Sequence, residues 1–152
     1  MDFAIGAMPF AVGAISGALT APAIRTWYRR LERPRWNPPD GVFGPVWTAL
    51  YASMGIALVR VVRSDGHADE RRLAIGLFGL QLALNYGWSW IFFVEHDIGL
   101  ALAEIVLLWL AIAATTVAFG RLVPAAGALF VPYLAWVTFA TALNAAIWRL
   151  NR

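Results

Sequence analysis

The chain has 152 residues, 61% hydrophobic and 14% charged, with 12 arginines, no lysine and a net charge of +3. That length allows one domain, and a charged fraction well under the roughly 25% of soluble proteins excludes a soluble core. The absence of cysteine excludes disulfides and thiolate chemistry, and arginines gathered in loops between long uncharged runs suit anionic lipid head groups rather than nucleic acid.

Phe3 to Ile24 is an uncharged run of 22 residues, about 33 Å long as a helix and sufficient to cross a bilayer. It lacks the basic start of a signal peptide and is read as a retained helix. Gly13, Gly17 and Ala21 form a small-residue stripe, which serves either packing inside the bundle or dimerisation, with packing favoured. Ile24 to Asp40 is the longest loop and sets Arg25, Arg29, Arg30, Arg33 and Arg35 against Glu32 and Asp40. Trp27 and Tyr28 take the places of interfacial belt residues. The loop reads either as a basic, aromatic lid over an anionic ligand or as a topogenic segment that binds head groups. Pro34, Pro38 and Pro39 stiffen it. Asp40 is placed to cap the next helix, which tolerates Pro45 in its first turn.

Gly41 to Val59 is the second run, 19 residues long. A charged loop, Arg63 to Arg72, carries the turn signal Asp65-Gly66. Leu73 to Val94 is the third run and bears two stripes at i, i+4, i+8 spacing. The polar one, Gln81, Asn85 and Ser89, should face the bundle interior, because a bare amide in hydrocarbon is costly. The small one, Gly79, Ala83 and Gly87, is free to pack on a neighbour in the same chain or in a second copy. Glu95-His96-Asp97 leads to the fourth run, Ile98 to Gly120. There Glu104 is the one ionisable residue well inside a run, which raises a proton-coupling role. Its nearness to the helix start allows it instead to reach the interface. Val123 to Trp148 is the fifth run. The fold expected is all-α, a single five-helix transmembrane domain over residues 1–152.

Five crossings place the first loop, the third loop and the C-terminus on one side, with Arg25, Arg29, Arg30, Arg33, Arg35, Arg149 and Arg152. The N-terminus and the second and fourth loops share the other side with Arg60, Arg63, Arg71, Arg72 and Arg121. The richer side is expected to be cytoplasmic, so the N-terminus lies out and the C-terminus in.

No nucleotide-binding glycine loop, Ser/His/Asp set or metal-ligand cluster is present, so no catalytic residue, metal or cofactor is assigned. Tryptophan is the unusual feature, eight in all. Trp36, Trp47, Trp88, Trp90 and Trp148 sit where belt residues do, whereas Trp109 and Trp136 lie nearly half-way through their runs. Helical spacing groups Trp47 with Tyr51, Asn85 with Trp88, and Trp136 with Ala140 and Asn144. These faces would line an apolar slot with a few hydrogen-bonding groups, or interdigitate as a packed core; spacing alone favours the core.

Four stretches change that balance: Trp36-Asn37-Pro38-Pro39; Pro45-Val46-Trp47-Thr48-Ala49-Leu50-Tyr51; Gln81-Leu82-Ala83-Leu84-Asn85 followed by Trp88; and Phe130-Val131-Pro132-Tyr133-Leu134-Ala135-Trp136 continued by Ala140-Thr141-Ala142-Leu143-Asn144. With them the sequence resembles, over nearly its whole length, bacterial members of the tryptophan-rich sensory protein and translocator protein (peripheral benzodiazepine receptor) family. The resemblance implies a five-helix membrane bundle, commonly a homodimer, in a bacterial cell membrane. It implies a receptor or sensor that binds tetrapyrroles such as protoporphyrin IX, and isoquinoline-carboxamide or benzodiazepine drugs, in a pocket beneath the first loop. The implied pocket residues are Trp36, Asn37, Trp47, Tyr51, Asn85, Trp88, Trp136, Ala140 and Asn144. Porphyrin transport and light- or oxygen-dependent porphyrin degradation are the alternatives. Transport by alternating access is not suggested by a small bundle without inverted repeats. One departure stands out: Leu143 to Arg149 carries alanines where eukaryotic members have the tyrosines of a proposed sterol motif, which puts high-affinity cholesterol binding in doubt.

Overall fold

A computed structural model describes residues 1–152. Five α-helices follow one another: α1 (Asp2–Arg25), α2 (Asp40–Val62), α3 (Ala68–Phe93), α4 (Ile98–Leu122) and α5 (Pro124–Asn151), with a single 3-10 turn, Tyr28–Arg30, in the first loop. Helices α1, α2, α4 and α5 are each long and apolar enough to cross a membrane. Helix α3 is as long but carries Asp69, Glu70, Arg71 and Arg72 at its start and buried amides in its middle. Neighbouring pairs close a ring in the order α1, α2, α5, α4, α3.

The helices overrun the uncharged runs, because a helix continues into water after its apolar stretch ends. The second loop shrinks accordingly, and Asp69 and Glu70 fall in the first turn of α3, where the helix dipole favours carboxylates. Val123 alone joins α4 to α5, with Pro124 at the first helical position, where its missing N–H costs nothing. Asp97 caps α4 by accepting from the Leu100 N–H at 2.9 Å. Asp40 does not cap α2. Pro39 precedes the helix and Asp40 is its first residue, with its carboxylate turned to Arg29 and Arg33 at 3.1 and 3.4 Å.

Contacts at the two ends keep the connections on alternate sides. At one end Trp27 of the first loop stacks on His96 of the third at 4.1 Å. There too Asn151, near the C-terminus, accepts from the Glu32 N–H and donates to the Glu32 carbonyl. At the other end Arg63 pairs with Asp2, and Leu122 lies close against Gly66. Two apolar clusters result. The larger, around Met54, Phe78, Phe119, Phe130 and Tyr133, fills the half of the bundle near the N-terminus. The smaller, Tyr28, Phe92, Ala101, Leu143 and Ile147, lies under the first loop. Tyr28 is therefore a core residue, 3% exposed, rather than a belt residue. Its neighbours Phe43, Phe92 and Phe93 surround the ring. Burial raises its phenol above the ordinary value, with Arg33 partly opposing.

Candidate functional site

The polar stripe of α3 organises the middle of the bundle. Gln81, Asn85 and Ser89 are all buried, as hydrocarbon requires. Tyr51 on α2 donates to Asn85 Oδ1 at 2.9 Å. Asn85 Nδ2 donates to the Tyr133 hydroxyl on α5 at 2.8 Å, and Tyr133 donates to Gln81 Oε1 at 2.9 Å. The chain of bonds joins three helices and uses each hydroxyl hydrogen. Tyr133 holds it together and is fully buried. In the sequence Tyr133 stands only within a motif, although it shares a helix face with Trp136 and Ala140 at i, i+3, i+7.

Above this floor a cavity of about 470 Å³ opens between α1, α2, α3 and α5 beneath the first loop, within the size range of small-molecule sites. Seven of the nine implied pocket residues line it: Trp47, Tyr51, Asn85, Trp88, Trp136, Ala140 and Asn144. The tryptophans hold fixed orientations. Trp47 stacks on Tyr51 at 5.7 Å. Trp136 meets Phe43 edge-on at 6.1 Å and tilts against Phe139 at 5.4 Å. Trp88 stacks on Phe92 at 5.2 Å and donates its Nε1–H to Asn144 at 3.0 Å. Asn144 in turn donates to the Ile98 carbonyl at 3.0 Å. The two amides therefore hold the walls together, their hydrogen bonds already directed at protein partners. Ser16 of α1, a residue that its apolar surroundings in the sequence give no reason to select, also lines the cavity, but its hydroxyl is buried and without a partner.

Trp36 and Asn37 lie outside the cavity. Trp36 is half exposed and packs edge-on against Phe139 at 5.7 Å. Asn37 accepts from the Tyr28 hydroxyl at 2.7 Å and donates to the Pro38 carbonyl at 2.9 Å, so it shapes the loop that roofs the cavity. Trp109 is also elsewhere, donating to Thr138 at 2.7 Å across α4 and α5. Trp90 sits at the surface and donates to Glu95 at 2.9 Å.

Glu104 does not reach the interface. It is buried at the seam of α3 and α4, where Oε1 would lie 3.4 Å from a Cβ on Gly87, and neither carboxyl oxygen has a hydrogen-bond partner. Gly13 packs within the chain: a Cβ there would lie 2.5 Å from the Tyr51 ring, so this member of the α1 stripe is spent on an internal contact.

A ring of membrane helices around an aromatic cavity closed by a proline-stiffened, arginine-bearing loop defines the class of protein: a polytopic membrane bundle built around a small-molecule-sized space. The chain belongs to the TspO/MBR family, whose model matches residues 5–149. It is similar to the tryptophan-rich protein TspO of Chlorobaculum tepidum, 43% identical over 93% of this chain and 89% of the relative. It is similar to the human translocator protein, 44% identical over 82% of this chain and 75% of the relative. The tryptophan-rich sensory protein of Cereibacter sphaeroides is 44% identical over 91% of this chain and 84% of its own length. The protein is thus an integral membrane member of a family of sensory and translocator proteins.

Proposed function

We propose that the cavity is a receptor site for a flat, largely apolar tetrapyrrole of the protoporphyrin IX type, and that drug-like polycyclic carboxamides compete for it. The observation that carries this reading is the cavity wall: Trp47, Trp88 and Trp136 on three different helices, each braced by another aromatic ring, face one space of about 470 Å³. Offset and edge-to-face packing on such rings adds about 0.5–1.5 kcal/mol per pair to the gain from burial. Arg29 and Arg33 converge on Asp40, which lines the loop end of the cavity, so ligand carboxylates at that end would meet guanidinium groups.

Purified protein titrated with protoporphyrin IX in the dark and without oxygen should bind it reversibly, with release of the unaltered pigment. Pigment loss only under light and air would reassign the site to degradation, and pigment flux into protein-bearing vesicles would reassign it to transport.

We infer further that the protein self-associates through the outward stripe of α3. Gly79 and Ala83 are exposed, and a Cβ on Gly79 would touch nothing within 4 Å in the chain, so a second helix can approach closely there. Ala83→Leu should raise the monomer fraction in bilayers. An unchanged distribution would remove α3 from the interface.

A further inference from the structure

Helices α1 and α2 diverge. Near the N-terminus they touch: a Cβ on Gly55 would collide with the Gly6 carbonyl oxygen, and Gly13 lies against Tyr51. Towards the first loop the contact is lost, and a Cβ on either Gly17 or Gly44 would meet nothing within 4 Å. Ala14, Gly17 and Ala21 of α1 and Gly44 and Thr48 of α2 all line the cavity and are all exposed. Small, exposed residues on the facing sides of both helices, with nothing against either glycine, leave the cavity without a side-chain wall between α1 and α2. The gap lies within two helices long and apolar enough to span the membrane, so what faces it is lipid.

The route through the loop is fastened instead. Tyr28 is buried at the cavity roof and bonded to Asn37. Arg29 and Arg33 hold Asp40. Trp27 stacks on His96, and Asn151 is bonded to both backbone groups of Glu32. Opening the roof breaks several of these contacts; opening the side breaks none.

We propose that the cavity loads sideways from the bilayer, through a portal between α1 and α2 whose width is set by the small side chains at Ala14, Gly17, Ala21, Gly44 and Thr48. This rests on the reading that the cavity receives a flat, bilayer-dissolved ligand, which the membrane concentrates in front of the gap. The small residues are there to keep the portal open, and a ring-sized side chain on either lip closes it.

The chain has no cysteine, so Ala140→Cys, at a partly buried position that lines the cavity, places one thiol on its wall. In vesicles holding the full-length protein, that thiol is reacted with octyl maleimide, which dissolves in the bilayer, and with a sulfonated maleimide, which stays in water. The octyl reagent should react faster than the sulfonated one. Adding Gly44→Phe should slow it by about tenfold or more, because a ring must then be displaced from a filled gap. Gly17→Phe, on the opposite lip and the other helix, should do the same, so the result does not depend on one variant folding. The ratio of rates with and without the phenylalanine cancels the reactivity of the thiol itself. Equal rates in the parent and in both phenylalanine variants, or faster reaction with the sulfonated reagent, would overturn the portal. No tetrapyrrole is present in this assay, so failure of protoporphyrin IX to bind the parent would defeat the ligand assignment while leaving the portal result to stand or fall separately.

Discussion

Tyr133→Phe is expected to lower the melting temperature of the detergent-solubilised protein by about 5–15 °C, from a loss of about 2–4 kcal/mol. The change removes one oxygen and almost no volume, so it isolates the hydrogen bonds from the packing. Two groups lose their partner together: the Asn85 Nδ2 that donates to Tyr133, and the Gln81 Oε1 that accepts from it. Both side chains are buried, Gln81 at 0% and Asn85 at 2% exposure, so water does not replace the lost bonds. A hydrogen bond between membrane helices contributes on average only about 0.6 kcal/mol. The larger figure applies because stranding buried amide groups costs more than the net gain from forming a bond. Ser89→Ala, which removes a single bond of 3.3 Å to the Asn85 carbonyl, should shift the midpoint far less. If Tyr133→Phe melts with the parent, the network joining α2, α3 and α5 contributes little to the stability of the bundle.

The second large effect concerns affinity. Trp136 forms a wall of the cavity and is only partly buried, so it has aromatic face left for a ligand. Trp136→Ala should weaken protoporphyrin IX binding at least several-fold, through loss of stacking and of buried area. Ala140, one turn further along α5, also faces the cavity. Ala140→Thr removes no contact and adds bulk; overpacking of this kind costs about 1–3 kcal/mol, an affinity loss of about fivefold or more. The fold should survive, because Ala140 faces cavity rather than close-packed core. Trp90→Phe is the control, since that indole is at the surface and bonded to Glu95. Tryptophan-quenching titrations of the four proteins decide the point, and parent-like curves for Trp136→Ala and Ala140→Thr would mean that the ligand does not sit against α5.

The five helices were legible because charge and apolarity alternate so sharply along the chain. Hydrocarbon enforces the inward turn of Gln81, Asn85 and Ser89, so their direction followed from spacing alone. The aromatic faces carrying Trp47, Trp88 and Trp136 were also legible, but spacing does not distinguish a filled core from an open one. That difference depends on how far α1 leans from α2, and small residues on facing helices, such as Gly6 and Gly55 in contact at one end and Gly17 and Gly44 touching nothing at the other, read alike in the sequence. Motif alone places Trp36 and Asn37 in the pocket. The loop folds over the helix ends, so both fall on its outer layer, with Asn37 engaged by Tyr28. The burial of Tyr28 is not legible for the same reason, because local sequence does not show which side of a loop faces the bundle. Glu104 lies early enough in α4 for an extended side chain to reach the interface, yet the recess opposite Gly87 keeps it inside.

The most direct test of the central claim is a structure of the protein with protoporphyrin IX bound. The macrocycle should lie between Trp47, Trp88 and Trp136, above the Tyr51–Asn85 hydrogen bond and with its carboxylates towards Arg29 and Arg33. A macrocycle found instead on the lipid-facing surface of the helices, with the cavity unchanged, would contradict the assignment of this cavity as the ligand site.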